Sequence, residues 1–377
     1  MNNQSFHPLL DSKKQFKARA YEKEKREINL IFKIFSILTL FLFYYSGWSS
    51  ELAGMFNNRR AAFLIYMFTF ISIYSILALP LKFYSEYKIE HKWGFSNYSI
   101  KSWLKDELKG YFVSLALILI ITGFLFWIWQ IDADNWWIWA GLAMAVFSII
   151  LTALFPVLIL PIFNKYTPIE NPDLVRRLGN ILSKYGLNAS GFFKQDLSLQ
   201  TKKENAFLAG LGKTRRVVLA DNLLENMTLD EIESVIAHEV GHYFHNHLWK
   251  QVFLGTIQQF LLFYLLNIIV LKLLPNFLES MTWNLTIFPL FILILAFVST
   301  VLFTIPSMAL SRYFEKQADI ISLETTGKIP FQKSLAGLAN RNLSNAYPDD
   351  WVKLLYYSHP PIGERLALAE KYQQSKI

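Results

Sequence analysis

Residues 234–247 read SVIAHEVGHYFHNH and set His238 and His242 four positions apart with Glu239 between them. On a helix that spacing stacks both imidazoles on one face, one turn apart, where a tetrahedral Zn2+ can accept a nitrogen from each. Glu239 lies about 100° round the same turn, near enough to reach water at the metal without being a ligand itself. This is the arrangement of a zinc hydrolase: the metal lowers the pKa of water and the glutamate takes its proton. The motif is short and also occurs on ordinary solvated helices. Here the flanking SVIA and Val240 make the helix partly buried, and Gly241 leaves room for a second backbone.

A catalytic zinc takes three protein ligands and keeps one position open. LSRYFEKQADII, residues 310–321, supplies the candidate third ligand, Glu315. Asp319 follows one turn on, on the same face, placed to accept the second N–H of a ligand histidine and fix its tautomer. Alone, this acidic pair reads as a solvated face; its place in the chain, argued below, favours the ligand reading. YYSHPPIGERLA, residues 356–367, offers His359 and Arg365 to stabilise a tetrahedral oxyanion, with Pro360 and Pro361 stiffening the approach. His245 and His247 read as surface residues turning away from His242. His7 and His91 receive no role.

The elements that must position these residues belong to a membrane. Of 377 residues, 53% are hydrophobic and 18% charged, against about 25% charged in soluble domains. Six runs are apolar over the roughly 20 residues that cross a bilayer: 30–48, 61–81, 111–129, 136–163, 251–274 and 285–310. Four carry no charge, which excludes core helices of a soluble bundle, while Lys33 and Lys272 lie near run ends and can snorkel. The first run starts too far into the chain, and without a small-residue cleavage site, to read as a cleaved signal. The absence of cysteine excludes disulfides, thiolate ligands and thiol nucleophiles.

Seven Lys/Arg in residues 1–27 and six in 82–110 contrast with Arg59 and Arg60 in one opposite loop and none at 130–135 or 275–284. Both termini and segment 164–250 are therefore expected on the cytoplasmic side. The net charge of +8 is this bias, and nucleic acid is not needed to explain it. The last two spans form a hairpin that returns the chain to the face it left at Trp249, which delivers Glu315 beside the His238 helix. Within 164–250, NPDLVRRLGNILSKYGL reads as an amphipathic helix capped by Asn171 and closed by Gly186. SGFFKQD and ENAFLAGLGKTRRVVLAD read as strands, GLGKT being a turn. TLDE is a capping box, Thr228 to Glu231, that opens the metal helix. Segment 311–377 looks helical. The expectation is a mainly α multi-pass bundle of about six spans with a small cytoplasmic α/β metallopeptidase unit. Residues 1–163 form a membrane domain with four spans; 164–377 form the peptidase domain with two more, 251–274 and 285–310.

These residues resemble the integral-membrane CAAX prenyl proteases, zinc metallopeptidases of prenylated substrates. PLKFYSEYKIEHKWGFSN (80–97), LPIFNKYTPIE (160–170), KKENAFLAGLGKTRRVVLADNLL (202–224), AHEVGH, SRYFEKQAD and DDWVKLLYYSHPPIGERL follow in that family's order. The resemblance implies that His238, His242 and Glu315 bind one Zn2+, that Glu239 activates water, and that Asp319 supports a ligand histidine. It implies that His359 and Arg365 contact substrate and steady the intermediate. Asn205 matches a position on the edge strand where substrate backbone is gripped by β-addition. The spans are expected to enclose a water-filled chamber with the site at its cytoplasmic end, so that an apolar or lipidated part of the substrate lies in the bilayer. Eukaryotic members have seven spans and a charged insertion before the zinc helix. Here the first span and the insertion are absent, there is no cysteine, and the chain ends QQSKI. The expectation is a bacterial member in the inner membrane, or the ER membrane if eukaryotic.

Three readings follow. The first is a CAAX-type endopeptidase acting on membrane-associated or prenylated peptides. A second, with the same catalytic residues, is a quality-control protease of membrane proteins. A third is a non-enzymatic scaffold in which the metal ties helices together; Glu239 beside the ligands argues against it. A transporter is disfavoured, since no span carries paired charges at its midpoint.

Overall fold

The computed structural model describes residues 6–55, 59–273 and 285–372. The loop 275–284, Leu274, the side chains of Arg59 and Arg60, and the ending QQSKI, all used above, lie outside the described residues. Helix α1, Ser12–Tyr45, opens at Asp11, whose side chain accepts from the Lys14 N–H. The short α2, Trp48–Gly54, and α3, Arg59–Lys82, follow. α3 continues through a π-helical turn, Phe83–Lys88, to Lys92. α4 is Ile100–Ile131 and α5 Trp136–Leu154; α5 runs on through a second π-turn, Phe155–Ile159, to Phe163.

The first two spans are longer as helices than their apolar runs. Polar residues 12–29 and 82–92 stay helical because each stretch answers the other's charges. Lys25 pairs with Glu90 at 3.0 Å and Lys92 with Glu24 at 2.8 Å. The same Glu90 takes Lys203 at 2.8 Å, which docks the segment ahead of the sheet's edge strand onto this junction.

Beyond the fourth span the chain builds a four-stranded sheet. β1, Tyr166–Pro168, is followed by helix α6, Pro172–Lys184. β2 is Gly191–Gln195, β3 Ala206–Ala209 and β4 Arg216–Ala220. The order is β1-β2-β4-β3, with β2 parallel to β4 and the outer pairs antiparallel. β1 is absent from the sequence expectation: three residues ending in proline show no alternation to read. The Asn171 side chain accepts from the Asp173 and Leu174 N–H groups, the cap the sequence implies. Leu174, Leu178 and Leu182 of α6 pack with Val217 and Leu219 of β4.

Helices α7, Asp221–Asn226, and α8, Leu229–Phe244, close this layer. The capping box forms: the Thr228 N–H donates to Glu231 at 2.8 Å and the Glu231 N–H returns to Thr228 Oγ1 at 3.4 Å. α8 buries Ile236 and Val240 in the same core. It ends at a two-residue break in which Asn246 takes φ 55°, a left-handed position asparagine tolerates. α9, His247–Leu273, then enters the apolar region. α10, Phe288–Thr326, crosses back and continues as one helix well past its apolar half. α11, Lys328–Asn342, α12, Asp350–Tyr356, and α13, Ile362–Lys371, pack on its end. Leu323, Phe331, Leu335 and Leu366 form a core there that also takes Leu10 from the N-terminal segment.

Six helices among the described residues are long and apolar enough to cross a membrane. Large apolar side chains such as Ile76, Ile120, Val146 and Phe297 are exposed on these helices, as apolar surroundings would suit.

Candidate active site

The site forms where α8 meets α10, and Gly241 lets them meet. A Cβ at this glycine would stand 2.8 Å from Ala318 Cα and 3.1 Å from its carbonyl oxygen, so only glycine permits this approach. Because α10 is continuous through residue 326, the last span itself projects Glu315 toward α8. Nε2 of His238 and Nε2 of His242 lie 3.3 Å apart. Glu315 offers Oε2 at 3.2 Å to the first and Oε1 at 3.3 Å to the second.

The other ring nitrogens are engaged. His238 Nδ1 donates to Asp319 Oδ1 at 2.9 Å. Asp319 is fully buried and takes two further donors from Arg365, Nε at 2.8 Å and Nη2 at 2.6 Å. His242 Nδ1 shares a hydrogen bond with Nδ1 of His247 at 3.0 Å. With both Nδ1 atoms so engaged, both Nε2 atoms face the Glu315 carboxylate. Glu315 Oε2 is buried 3.2 Å from His238 Nε2, a separation that either a shared proton or a shared cation can bridge. Three such atoms converging on one point fit a cation. Ligands about 2.0–2.1 Å from a tetrahedral centre stand roughly 3.3–3.4 Å apart, the separations found here. The three residues are the group in the described chain able to hold a metal.

Electrostatics agree. Burial opposes a charged His238 ring, but hydrogen bonds to Asp319 and Glu315 outweigh it and raise its pKa to about 9. A metal must therefore displace a proton to bind. Burial pushes the Glu239 carboxyl above the ordinary carboxylate range, against the pull of the neighbouring His238 and His242 rings and of the Leu208 backbone.

Leu208 belongs to β3, the sheet's edge strand, so the edge runs beside Glu239. Tyr243, one turn along α8, donates its hydroxyl to Gly210 O at 2.9 Å and lies 3.3 Å from Leu208 O. Between this edge and the fourth span is a pocket of about 370 Å3, lined by Leu151, Phe155 and Pro156 on one side and Leu208, Gly210 and Tyr243 on the other. A cavity of about 410 Å3 between β1 and α8 shares no residue with the metal group.

His359 stands over the cluster with Nε2 3.1 Å from Glu315 Oε1, and its side chain is 58% exposed. Arg365 is instead buried and clamps Asp319 with two nitrogens. Asn205 precedes β3 with an exposed side chain; its carbonyl accepts from Ala220 N–H. His247 departs from the expectation of a surface residue. It is 1% exposed, because the left-handed turn at Asn246 folds the start of α9 back against His242. Only knowledge of that helix break could have revealed it; helical projection from His242 points it outward. Tyr243 and Gln317 carried no sequence signal.

Comparison with known proteins meets this geometry. Residues 3–165 match the description "CAAX prenyl protease N-terminal, five membrane helices", of which four span-length helices occur among the described residues. Residues 168–373 match peptidase family M48. CAAX prenyl protease 1 of Saccharomyces cerevisiae is 29% identical over 81% of this chain and 71% of that protein. The Arabidopsis thaliana homolog is 28% identical over 95% and 88%. The Bacillus subtilis protein described as uncharacterized metalloprotease YhfN is 28% identical over 82% and 74%. The crystal structure of S. mikatae Ste24p superposes with a TM-score of 0.83 at 24% identity, covering 97% of this chain and 92% of that one. With more than half the chain matched to M48 and the His–His–Glu group inside the match, this protein belongs to peptidase family M48, in its CAAX prenyl protease branch of membrane metalloproteases.

Proposed function

We propose that the protein is a zinc endopeptidase whose site faces the cytoplasm and whose substrates are membrane-associated or prenylated peptides. The observation that carries this reading is the convergence of His238 Nε2, His242 Nε2 and Glu315 within 3.3 Å, with Glu239 alongside. One Zn2+ held by these three residues would supply Lewis acidity to water and to the scissile carbonyl. The division into a membrane part, 1–163, and a peptidase part, 164–377, goes with this reading, as does a chamber between the spans.

Glu239 acts as the general base, its carboxyl lying beside the β3 backbone with burial raising its proton affinity. The substrate backbone lies along the free edge of β3. Asn205 O points to β4, so by strand alternation Ala206, Leu208 and Gly210 present their groups outward. Tyr243 already engages the carbonyls of Leu208 and Gly210, which leaves Ala206 and its neighbour Asn205 to grip the extended peptide. The apolar pocket beside this edge suits an aliphatic side chain next to the cleaved bond. His359, open to solvent above Glu315, is placed to donate to the developing oxyanion. Arg365 works one step back, holding Asp319 and through it His238.

Sidedness rests on the basic residues of 1–27 and 82–110. Location in a bacterial inner membrane goes with the absence of a charged insertion before α8. The test compares purified wild type with Glu239→Gln. Both should bind one metal, and only wild type should cleave, the variant losing about 10²-fold or more. Farnesylated and unprenylated twins of one peptide separate the substrate classes: preference for the lipidated peptide supports the CAAX reading, indifference a quality-control role. Full metal with no cleavage of either peptide or of unfolded membrane proteins would leave a scaffold.

A further inference from the structure

We infer that His247 is a positioning residue for the metal ligand His242, forming with Gln317 and Phe314 a relay that sets which nitrogen of His242 is free to bind. The inference rests on the reading above that His242 is a ligand, and extends it to three residues outside the metal group.

His242 faces the other two ligands through Nε2 and must keep its proton on Nδ1 to do so. Left alone, a neutral imidazole in a partly buried site partitions between two tautomers, one of which cannot ligate. The partner of Nδ1 decides between them. For His238 that partner is a carboxylate, Asp319. For His242 it is Nδ1 of His247, at 3.0 Å. An imidazole nitrogen can accept only if its own proton sits on the other nitrogen. Here Nε2 of His247 lies 2.9 Å from Gln317 Oε1, an acceptor that requires the proton there. The amide is oriented in turn by Gln317 Nε2, which donates to Tyr313 Oη at 3.3 Å. The chain of donors therefore runs one way, from His242 to His247 to Gln317.

Packing holds the relay in place. The His247 ring is 1% exposed and stacks on Phe314, centroids 4.3 Å apart and planes 15° from parallel. Phe314 and Gln317 flank Glu315 on α10, so the helix that brings the third ligand also fixes the orientation of the second. The two histidine ligands thus have unlike supports, an anion behind His238 and a neutral ring behind His242. A neutral acceptor raises ligand basicity less than a carboxylate does.

The test measures Zn2+ affinity of the full-length protein in detergent by chelator competition, with the Co2+ absorption spectrum as a second readout. His247→Phe keeps the ring stack and removes the acceptor; affinity should fall about 10–100-fold, the usual cost of losing such a partner. His247→Asn supplies a carbonyl oxygen and should recover part of the loss. Gln317→Glu puts an anion at the end of the relay and should tighten binding above wild type. Wild-type affinity in His247→Phe would overturn the relay, as would equal losses in the Phe and Asn variants. Should His247→Phe fail to fold, Gln317→Glu decides alone: unchanged or weaker binding overturns the inference. His242→Ala separates the two levels, since retention of the metal there would sink the ligand reading itself.

Discussion

At the scale of single residues, the contact at Gly241 shows two effects opposed. Alanine in place of glycine inside a helix is intrinsically favourable by about 1 kcal/mol. Here its methyl would enter the backbone of α10, 2.8 Å from Ala318 Cα and 3.1 Å from Ile321 Cβ. Backbone cannot rotate away as a flexible side chain can, and overpacking of this kind costs about 1–3 kcal/mol. The clash should win. Gly241→Ala is expected to push α10 outward, lower the melting temperature, and weaken metal binding by separating Glu315 from the two histidines. Thermal unfolding with and without chelator checks both: loss of the metal-dependent part of the stabilisation is the sign that the ligands have parted. A variant as stable as wild type, and as responsive to metal, would show that the helices have slack.

Among the elements, α1 does more than cross the membrane. Its polar first half lies against the segment that leads from α11 to His359. Gln15 is fully buried there, donating to Ser344 O at 3.2 Å and accepting from the Ala346 N–H at 2.9 Å. Further along, Glu22 accepts from Asn345 at 2.7 Å and from the Tyr357 hydroxyl. Gln15→Ala leaves a buried N–H without a partner, which costs about 1–3 kcal/mol. Turnover should fall as the His359 segment loosens, with metal content unchanged; loss of metal together with turnover would mean that α1 supports the ligands as well. This contact explains what could and could not be read beforehand. His238, Glu239, His242 and Glu315 were legible because helical spacing and a returning hairpin are local facts. The six spans were legible because bilayer thickness sets a minimum length. The helical extension of α1, the strand at Tyr166 and the inward turn of His247 depend on partners distant in the sequence or on a single left-handed residue, and no periodicity records them.

For the whole molecule, two independent arguments concern which face of the membrane carries the site. The proposed sidedness rests on the basic residues in 1–27 and 82–110, which by the positive-inside rule favour the cytoplasmic side for those segments. Contacts then tie the site to the same face whatever the charge rule says. Gln15 and Glu22 of α1 hold the His359 segment, and Lys203, just ahead of β3, pairs with Glu90 at the end of the second span. Residues 12 and 183 must therefore share a side, and residue 134, in the turn between the third and fourth spans, must lie on the other. The chain has no cysteine, so single cysteines report cleanly. Ser12, Ser183 and Asp134 are exposed, and Ser12→Cys, Ser183→Cys and Asp134→Cys should each leave the fold unchanged. In intact bacterial cells a membrane-impermeant maleimide should label only the cysteine at 134, with those at 12 and 183 reacting once the membrane is opened. The reverse pattern would invert the protein and place cleavage outside the cytoplasm. Opposite labelling of 12 and 183 would be more serious, since it would break the contact between α1 and the peptidase unit on which the positioning of His359 depends.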